Sequence, residues 1–305
     1  PRRTSSAASD VYKRQISMNE KGIFTGKKVL ILEGGGFKTS FTGGVLDVFR
    51  SVSFDPFQSY IGVSGGSIAI SYFLSKKYGY FYRCMRALCQ DERFIQYSKA
   101  FSDGLMNLDF FYDIAETEFP FDFDTACKEL EHKDYFIVLT DSQDGSTHYL
   151  EPKRENWIDM TIAASTVPML TKGKHKVNGM QYSDGGISDP IPIRWAVENG
   201  ATDIVVIRTT HFDFKPGMFR PEYLVSKFLR ASEKIIADVE RFQLNIKESI
   251  DYIDGLPKHI TVEQIAPQSP LNTQIFTTSV KNIELDYRAG LEAGLNYLQR
   301  RKVHN

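Results

Sequence analysis

The sequence predicts an α/β protein with a mostly parallel central sheet. Short apolar runs next to glycine alternate with amphipathic helical runs, and long helical periodicities follow near the C-terminus. Apolar runs of this kind are typical of buried parallel strands, and their alternation with helices predicts right-handed crossovers. The later periodicities predict an α-rich C-terminal extension.

The first half of the chain is predicted to form two strand–helix units and an irregular cap. Residues 28–33 and 59–61 are short apolar runs typical of strands. Residues 40–52 and 67–74 follow them with helical patterns. Residues 80–130 have mostly helical periodicity and many aromatic side chains, interrupted by glycine, proline and acidic residues. We therefore expect this last segment to cover the first two units.

The second half continues the alternation and then becomes helical. In chain order the pattern predicts a strand at 135–140 with a hairpin partner at 146–151, a helix at 157–165, a hairpin at 171–183 turning near 178–179, a strand at 203–208, one or two helices at 221–252, a strand at 259–266 and a helix at 283–300.

Composition excludes several classes of function. The 305 residues are 42% hydrophobic and 25% charged, with a net charge of −1, so no global attraction to nucleic acid is expected. The three cysteines are odd in number and form no C-x-x-C pair, which favours a reducing, cytoplasmic setting and no metal site. No apolar run reaches the ~18 residues that predict a transmembrane helix.

A G-x-S-x-G pattern stands where a predicted strand ends and a predicted helix begins. It reads Gly62-Val63-Ser64-Gly65-Gly66. Small residues on both sides of Ser64 let the chain turn sharply and let a substrate approach closely. The hydroxyl would stand at a helix N-terminus, where unpaired N–H groups favour negative charge. This context favours Ser64 as a nucleophile toward an acyl carbon.

The glycines after the first strand could supply donors for the oxyanion that such an attack creates. Gly34, Gly35 and Gly36 leave backbone N–H groups uncovered ahead of Lys38, and such a loop can form an anion-binding concavity. A dinucleotide or phosphate loop is the weaker alternative. Its G-x-G-x-x-G fingerprint needs glycine where Thr39 stands, and the Walker pattern needs glycine directly before the lysine.

The candidate base for the serine proton is Asp184. Asp184-Gly185-Gly186 follows the second strand of a predicted hairpin, and the two glycines would expose the carboxylate on a tight turn. An isolated Asp-Gly-Gly turn is common in proteins. The assignment therefore depends on the two glycine-rich segments earlier in the chain.

Together these three segments resemble the three signatures of patatin-like phospholipases, in the order that this family carries them. Residues 163–168 are similar to the segment that precedes the aspartate hairpin in those proteins. The resemblance covers residues 27–210, predicted as the catalytic domain. It implies a three-layer α/β/α fold with a mostly parallel central sheet. It also implies hydrolysis of lipid acyl esters by a Ser-Asp dyad without metal or organic cofactor. Its implied site residues are the nucleophile Ser64, the base Asp184, the oxyanion-hole glycines Gly34, Gly35 and Gly36, and the supporting residues Lys38, Gly62, Gly65, Gly66, Gly185 and Gly186.

Two alternatives to this function stay open. The family usually has glycine after the basic residue, and the β-branched Thr39 there would restrict the loop, which favours a lipid-binding protein of the same fold without catalysis. The other alternative is an α/β-hydrolase with a Ser-His-Asp triad completed by His211 or His259. No local pattern marks either histidine.

The ends of the chain and its partners complete the predictions. Residues 211–305 resemble the C-terminal extension of a bacterial subgroup of predicted esterases and are expected to pack on the catalytic domain. Residues 1–17 lack periodicity and are expected to be a disordered tail or an expression or sequencing remnant, with a transit peptide as the alternative.

The expected partner is a lipid or acyl-ester substrate. The basic hairpin of Lys172, Lys174, His175 and Lys176 leaves open peripheral contact with the inner face of a membrane. The oligomeric state is also left open.

Overall fold

The computed structural model describes residues 22–96, 104–168, 170–172, 175–216, 233–277 and 279–304. The predicted tail at residues 1–17 lies outside this part of the chain, as does the beginning of the helix predicted from residue 221. All structural statements below concern the described residues.

Most of the described strands belong to one sheet. Its strand order is β10-β9-β1-β2-β4-β8-β7, and β5 pairs with β4 beside this path. The ladders that join the first five strands are parallel, whereas β5 and β8 run antiparallel to β4. The strands are β1 (Lys28–Leu32), β2 (Ser59–Val63), β3 (Met106–Asn107), β4 (Asp134–Asp141), β5 (Thr147–Leu150), β6 (Thr171–Lys172), β7 (Lys176–Val177), β8 (Met180–Asp184), β9 (Asp203–Ile207) and β10 (Thr261–Ile265).

Helices cover both faces of the sheet, which gives the predicted three-layer α/β/α arrangement with a mostly parallel sheet. They are α1 (Ser40–Ser51), α2 (Gly65–Leu74), α3 (Tyr80–Gln90), α4 (Leu108–Thr117), α5 (Phe123–Glu129), α6 (Trp157–Ala163), α7 (Ile193–Glu198), α8 (Glu233–Asp254) and α9 (Val280–His304). Within the described ranges, none of these helices combines the length and apolarity needed to span a bilayer.

Alternating side chains of β1 divide the core into two layers. Leu30 and Leu32 face the larger layer, which contains α1, α2, α3 and the aromatic cap. Val29 and Ile31 face the smaller layer, which contains α7 and part of α8. All four side chains are completely buried. A strand buried on both faces needs apolar residues at every position, so its sequence is a continuous apolar run.

Two local predictions differ from the structure. Thr171 and Lys172 were expected in a hairpin, but they form β6, which pairs in parallel with β3 in a separate two-stranded sheet. The hairpin itself is shorter and joins β7 to β8 through Asn178 and Gly179, both with positive φ. His259 was expected to begin a strand, but it lies in an exposed turn before β10. The two-residue strand β6 and the polar segment around His259 are too short or too polar for an alternating apolar pattern to predict their pairing.

The C-terminal helix α9 packs very closely on α1 through glycines. A Cβ built on Gly290 would lie 2.0 Å from the carbonyl oxygen of Phe41, and one built on Gly44 would lie 2.2 Å from that of Tyr287. The Tyr287 hydroxyl donates a hydrogen bond of 2.9 Å to the Asp47 carboxylate. This contact joins the end of the chain to the helix that follows the glycine loop.

We expect the Gly290→Ala variant to lower the free energy of unfolding by about 2 kcal/mol or more. The clash with the Phe41 carbonyl costs ~3 kcal/mol, and the better helix propensity of alanine returns only ~1 kcal/mol. Urea denaturation measures the difference. Gly255→Ala is the matched control, because a Cβ there meets nothing closer than 3.5 Å. Equal stabilities for the two variants would contradict the close packing of α9 on α1.

Candidate active site

Ser64 occupies a sharp turn between β2 and α2. Its φ of 51° and ψ of −128° lie outside the regions that non-glycine residues commonly adopt. The Ser64 carbonyl accepts hydrogen bonds from the N–H (2.9 Å) and the hydroxyl (2.6 Å) of Ser67. A strained backbone of this kind persists only where the surrounding structure holds it. The turn presents the Ser64 side chain at the N-terminus of α2.

Neighbouring glycines let the backbone pack tightly around this turn. A Cβ on Gly62 would lie 2.6 Å from the Cα of Ser67, and one on Gly66 would lie 2.6 Å from the Leu32 carbonyl oxygen. Both distances are too short for any side chain. The small residues of the G-x-S-x-G pattern are therefore explained by steric limits at the turn.

Asp184 is placed beside this turn by the sheet. It ends β8, which pairs with β4, and β4 also pairs with β2. The Asp184 N–H donates to the Thr166 carbonyl (2.7 Å), and the Asp184 carbonyl accepts from the Thr140 hydroxyl (2.8 Å). Gly185 is needed next, because a Cβ there would lie 2.3 Å from the Val138 carbonyl oxygen. The sequence had indicated the Thr166 segment only through the family resemblance.

Ser64 and Asp184 line the same cavity, and the Ser64 hydroxyl lies close enough to the Asp184 carboxyl to lower its pKa. Each residue is only 8% exposed. Burial raises the pKa of Asp184 to about 6, while the Ser64 hydroxyl and a hydrogen bond from the Gly186 N–H (2.8 Å) act in the opposite direction. A carboxylate with a raised pKa is a better proton acceptor than an ordinary aspartate.

Each carbonyl group of the glycine loop accepts a hydrogen bond. A Cβ on Gly34 would lie 2.8 Å from the Cβ of Ser64, so the loop touches the serine turn directly. No described residue accepts a hydrogen bond from the N–H groups of the three glycines. Their carbonyls accept hydrogen bonds as follows: Gly34 from the Thr209 hydroxyl (2.6 Å), Gly35 from the Lys38 N–H (3.1 Å) and Gly36 from the Thr39 hydroxyl (2.5 Å).

Thr39 stabilises this loop. Its side chain is completely buried, and it would contact a Cβ on Gly65 at 3.0 Å. The hydroxyl that binds the Gly36 carbonyl fixes the orientation of that peptide group. The β-branched residue thus leaves the neighbouring N–H groups available.

A buried carboxylate that the sequence analysis did not single out anchors the start of the loop. Glu33 is 1% exposed and accepts hydrogen bonds from the N–H groups of Thr209 (2.8 Å) and Thr210 (3.0 Å). The only sign of Glu33 in the sequence is a charged residue at the end of an apolar strand.

Lys38 lies near Glu33 and does not line the cavity at Ser64. Burial lowers the pKa of Lys38, and the Glu33 carboxylate opposes that shift.

A cavity of about 60 Å³ opens at Ser64 and Asp184. Its walls are almost entirely apolar, and six of the 18 lining residues come from the cap that the sequence predicted over residues 80–130. Two more lining residues, Ile275 and Phe276, belong to the C-terminal region and were not foreseen. The cap and loop side chains include Phe37, Met85, Leu88, Phe94, Leu108 and Phe111. Such a cavity suits a hydrocarbon chain.

Neither candidate histidine reaches the serine. Among the described residues, no histidine lines the cavity. His211 follows β9, and its ring contacts Phe214 edge-to-face. His259 precedes β10, whereas Ser64 follows β2; because the ladders between these two strands are parallel, the two residues lie at opposite ends of the strands. The geometry therefore does not support a Ser-His-Asp triad.

The basic hairpin is partly neutralised by acidic neighbours. His175 contacts the carboxylates of Asp159 (2.8 Å) and Asp109 (3.2 Å), and its ring stacks on Tyr112. Lys174 lies outside the described residues. The described part of the chain contains no group of three or more histidine, cysteine or acidic side chains arranged to hold a metal ion.

The chain is similar to several known proteins. A model of the patatin-like phospholipase family matches residues 30–197, and one for a domain of unknown function (DUF6363) matches residues 232–302. The uncharacterized protein YjjU of Escherichia coli K12 is 28% identical over 279 residues, which span 90% of this chain and 77% of that protein. The crystal structure of VipD from Legionella pneumophila aligns with a TM-score of 0.43 and 12% identity, over 90% of this chain and 67% of that one.

We expect the unfolding free energy of the Asp184→Asn variant to increase relative to that of the wild type as pH rises. Unfolded aspartate releases its proton near pH 4, whereas the folded carboxyl keeps it to about pH 6. The stabilisation that comes from the protonated Asp184 carboxyl is therefore complete below pH 4 and is lost as pH rises through 6. The loss is about 3 kcal/mol, and asparagine does not undergo it.

Urea denaturation of both proteins at pH 4 and pH 7 measures this difference in unfolding free energy. Subtracting the wild-type values removes the contribution of the half-buried Asp189, whose pKa is also raised to about 6 by partial burial. A difference that does not change between the two pH values would contradict the raised pKa of Asp184.

Proposed function

Since this chain belongs to the patatin-like phospholipase family, we propose that it is a serine lipid acyl hydrolase that uses Ser64 and Asp184 as its catalytic dyad. The family consists of hydrolases that act on lipid esters, and residues 27–210 are proposed as the catalytic domain. One observation carries the assignment to these residues. Ser64 and the buried Asp184 carboxyl line the same apolar cavity, with the Ser64 hydroxyl close enough to lower the pKa of that carboxyl.

In the first half of the reaction, Asp184 accepts the proton of the Ser64 hydroxyl while the serine oxygen attacks the ester carbonyl carbon. The carbonyl oxygen becomes an oxyanion. The N–H groups of Gly34, Gly35 and Gly36, which have no acceptor among the described residues, supply donors for it. The tetrahedral intermediate then collapses, the alcohol leaves with the proton from Asp184, and the acyl group stays on Ser64.

In the second half, Asp184 removes a proton from a water molecule, which attacks the acyl-enzyme. The second tetrahedral intermediate uses the same oxyanion donors. Its collapse breaks the bond to the Ser64 oxygen, which takes back the proton from Asp184, and the fatty acid is released. Throughout, the apolar cavity holds the acyl chain and excludes water from it.

The raised pKa of Asp184 makes a dyad without histidine chemically reasonable. At a pKa of about 6 the carboxyl is mostly ionised at pH 7, yet it is a stronger base than an ordinary aspartate. A hydrogen bond from Ser64 to this carboxylate would orient the serine for attack. The cytoplasmic location and the peripheral membrane contact predicted from the sequence belong to the same proposal.

We expect Ser64→Ala and Asp184→Asn each to reduce kcat for p-nitrophenyl esters by about 10³–10⁴-fold, because each removes one half of the dyad. His211→Ala is the matched control and should keep most of the activity, because His211 does not line the cavity. Labelling with a fluorophosphonate probe, read by intact mass, reports the nucleophile independently of turnover. Wild-type activity that survives in Asp184→Asn and is lost in His211→Ala would overturn the dyad.

We also expect kcat/KM to rise about tenfold per pH unit below pH 6 and to level off above it. Asp184 must be ionised to act as a base, and its pKa is about 6. Initial rates with a neutral ester between pH 4.5 and 8 measure the profile. A profile that is flat through this range, or an inflection that persists in Asp184→Asn, would contradict the proposed base.

A further inference from the structure

A segment of the C-terminal region reaches across to the glycine loop. We call residues 271–277 the strap. Its Ile275 carbonyl accepts a hydrogen bond of 3.1 Å from the N–H of Phe37. The approach is so close that a Cβ on Gly36 would lie 2.2 Å from the same carbonyl oxygen. The position of the strap therefore determines where the backbone at Gly36 and Phe37 can lie.

The strap also forms part of the cavity. The side chains of Ile275 and Phe276 line it together with Ser64 and Asp184. Phe276 is partly buried and packs on the larger core layer. This wall of the candidate acyl site thus lies within residues 232–302, which match a domain of unknown function.

A single buried carboxylate on α9 holds the beginning of the strap. Asp286 is 1% exposed. It accepts hydrogen bonds from the N–H and side-chain amide of Asn272 (both 2.9 Å) and from the N–H (2.7 Å) and hydroxyl (2.6 Å) of Thr273. Asn282 adds a bond of 3.1 Å to the Asn272 carbonyl. Four donors on one buried carboxylate fix the strap to α9.

We propose that the C-terminal region completes the acyl site. In this proposal, Asp286 is a positioning residue for the glycine loop, and Phe276 limits the length of the acyl chain. This inference rests on the proposed function, because it concerns the same site. The Phe37 N–H is committed to the strap, so the loop can present only its glycine N–H groups to a substrate. Oxyanion donors act only at hydrogen-bond distance, so a small displacement of the loop lowers the rate.

The first arm of the test compares Asp286→Asn with Glu284→Gln. In Asp286→Asn, the side-chain NH₂ group would face the N–H and O–H groups of Asn272 and Thr273 that now donate to the carboxylate. Glu284 is the control because it lies on the same helix and forms a solvent-exposed ion pair with Arg288. We expect amide hydrogen exchange in a peptide covering residues 34–40 to become about tenfold faster in Asp286→Asn. We also expect kcat for a short ester to fall 10- to 100-fold with KM nearly unchanged. Glu284→Gln should change neither.

The second arm compares Phe276→Ala with Leu285→Ala, whose side chain is 41% exposed on α9. Removing the Phe276 ring lengthens the cavity, so the ratio of kcat/KM for a C12 ester to that for a C4 ester should rise at least tenfold. Leu285→Ala should leave this ratio unchanged.

Unchanged exchange at the loop, or faster exchange with unchanged kcat, would overturn the role of Asp286. An unchanged chain-length ratio would overturn the role of Phe276. If the wild-type protein hydrolyses no ester, the proposed function fails. The exchange measurement then still decides whether the strap holds the loop, and displacement of a fluorescent fatty acid by C4 and C12 acids decides whether Phe276 limits the cavity.

Discussion

The proximity of Ser64 to Asp184 depends on one strand, β4, which pairs with the strands that carry both residues. Val138 of β4 lies opposite Val63, the residue before the serine, and Leu139 lies opposite Asp184 itself. The first ladder is parallel and the second antiparallel, so two segments distant in the chain end at the same place. A slip of one residue in either ladder would turn the side chain to the other face of the sheet and separate the pair.

Around this pair, buried polar groups arrange the glycine loop so that its carbonyls are occupied and its N–H groups are not. Glu33, Thr39 and Thr209 each hold one part of the backbone from within the core. Buried polar groups are costly unless they are paired, so their pairing also specifies one arrangement of the loop. The strap, which lies outside residues 30–197, adds a hydrogen bond between its Ile275 carbonyl and the Phe37 N–H. This bond links the C-terminal region to the chemistry we propose.

Local sequence signals were sufficient for the fold class, and they marked Ser64 and Asp184, which the structure places at one cavity. Apolar runs beside glycine predicted the strands of the main sheet, and the steric limits around Ser64 and Asp184 demand the very glycines that marked them in the sequence. Glu33 and Thr209 were missed because their contact joins positions 176 residues apart, and no local pattern encodes it. The pairing of β6 with β3 was predicted wrongly, because two-residue strands carry no periodicity.

The most direct measurement is a crystal structure of the protein after reaction with a fluorophosphonate. We expect phosphorus bonded to the Ser64 oxygen, the phosphonyl oxygen within about 3.1 Å of glycine N–H groups in the loop, and the Asp184 carboxylate next to the serine oxygen. The alkyl chain should occupy the apolar cavity. An adduct on another residue, or a phosphonyl oxygen directed at solvent or at an imidazole, would contradict the proposed dyad and its oxyanion hole.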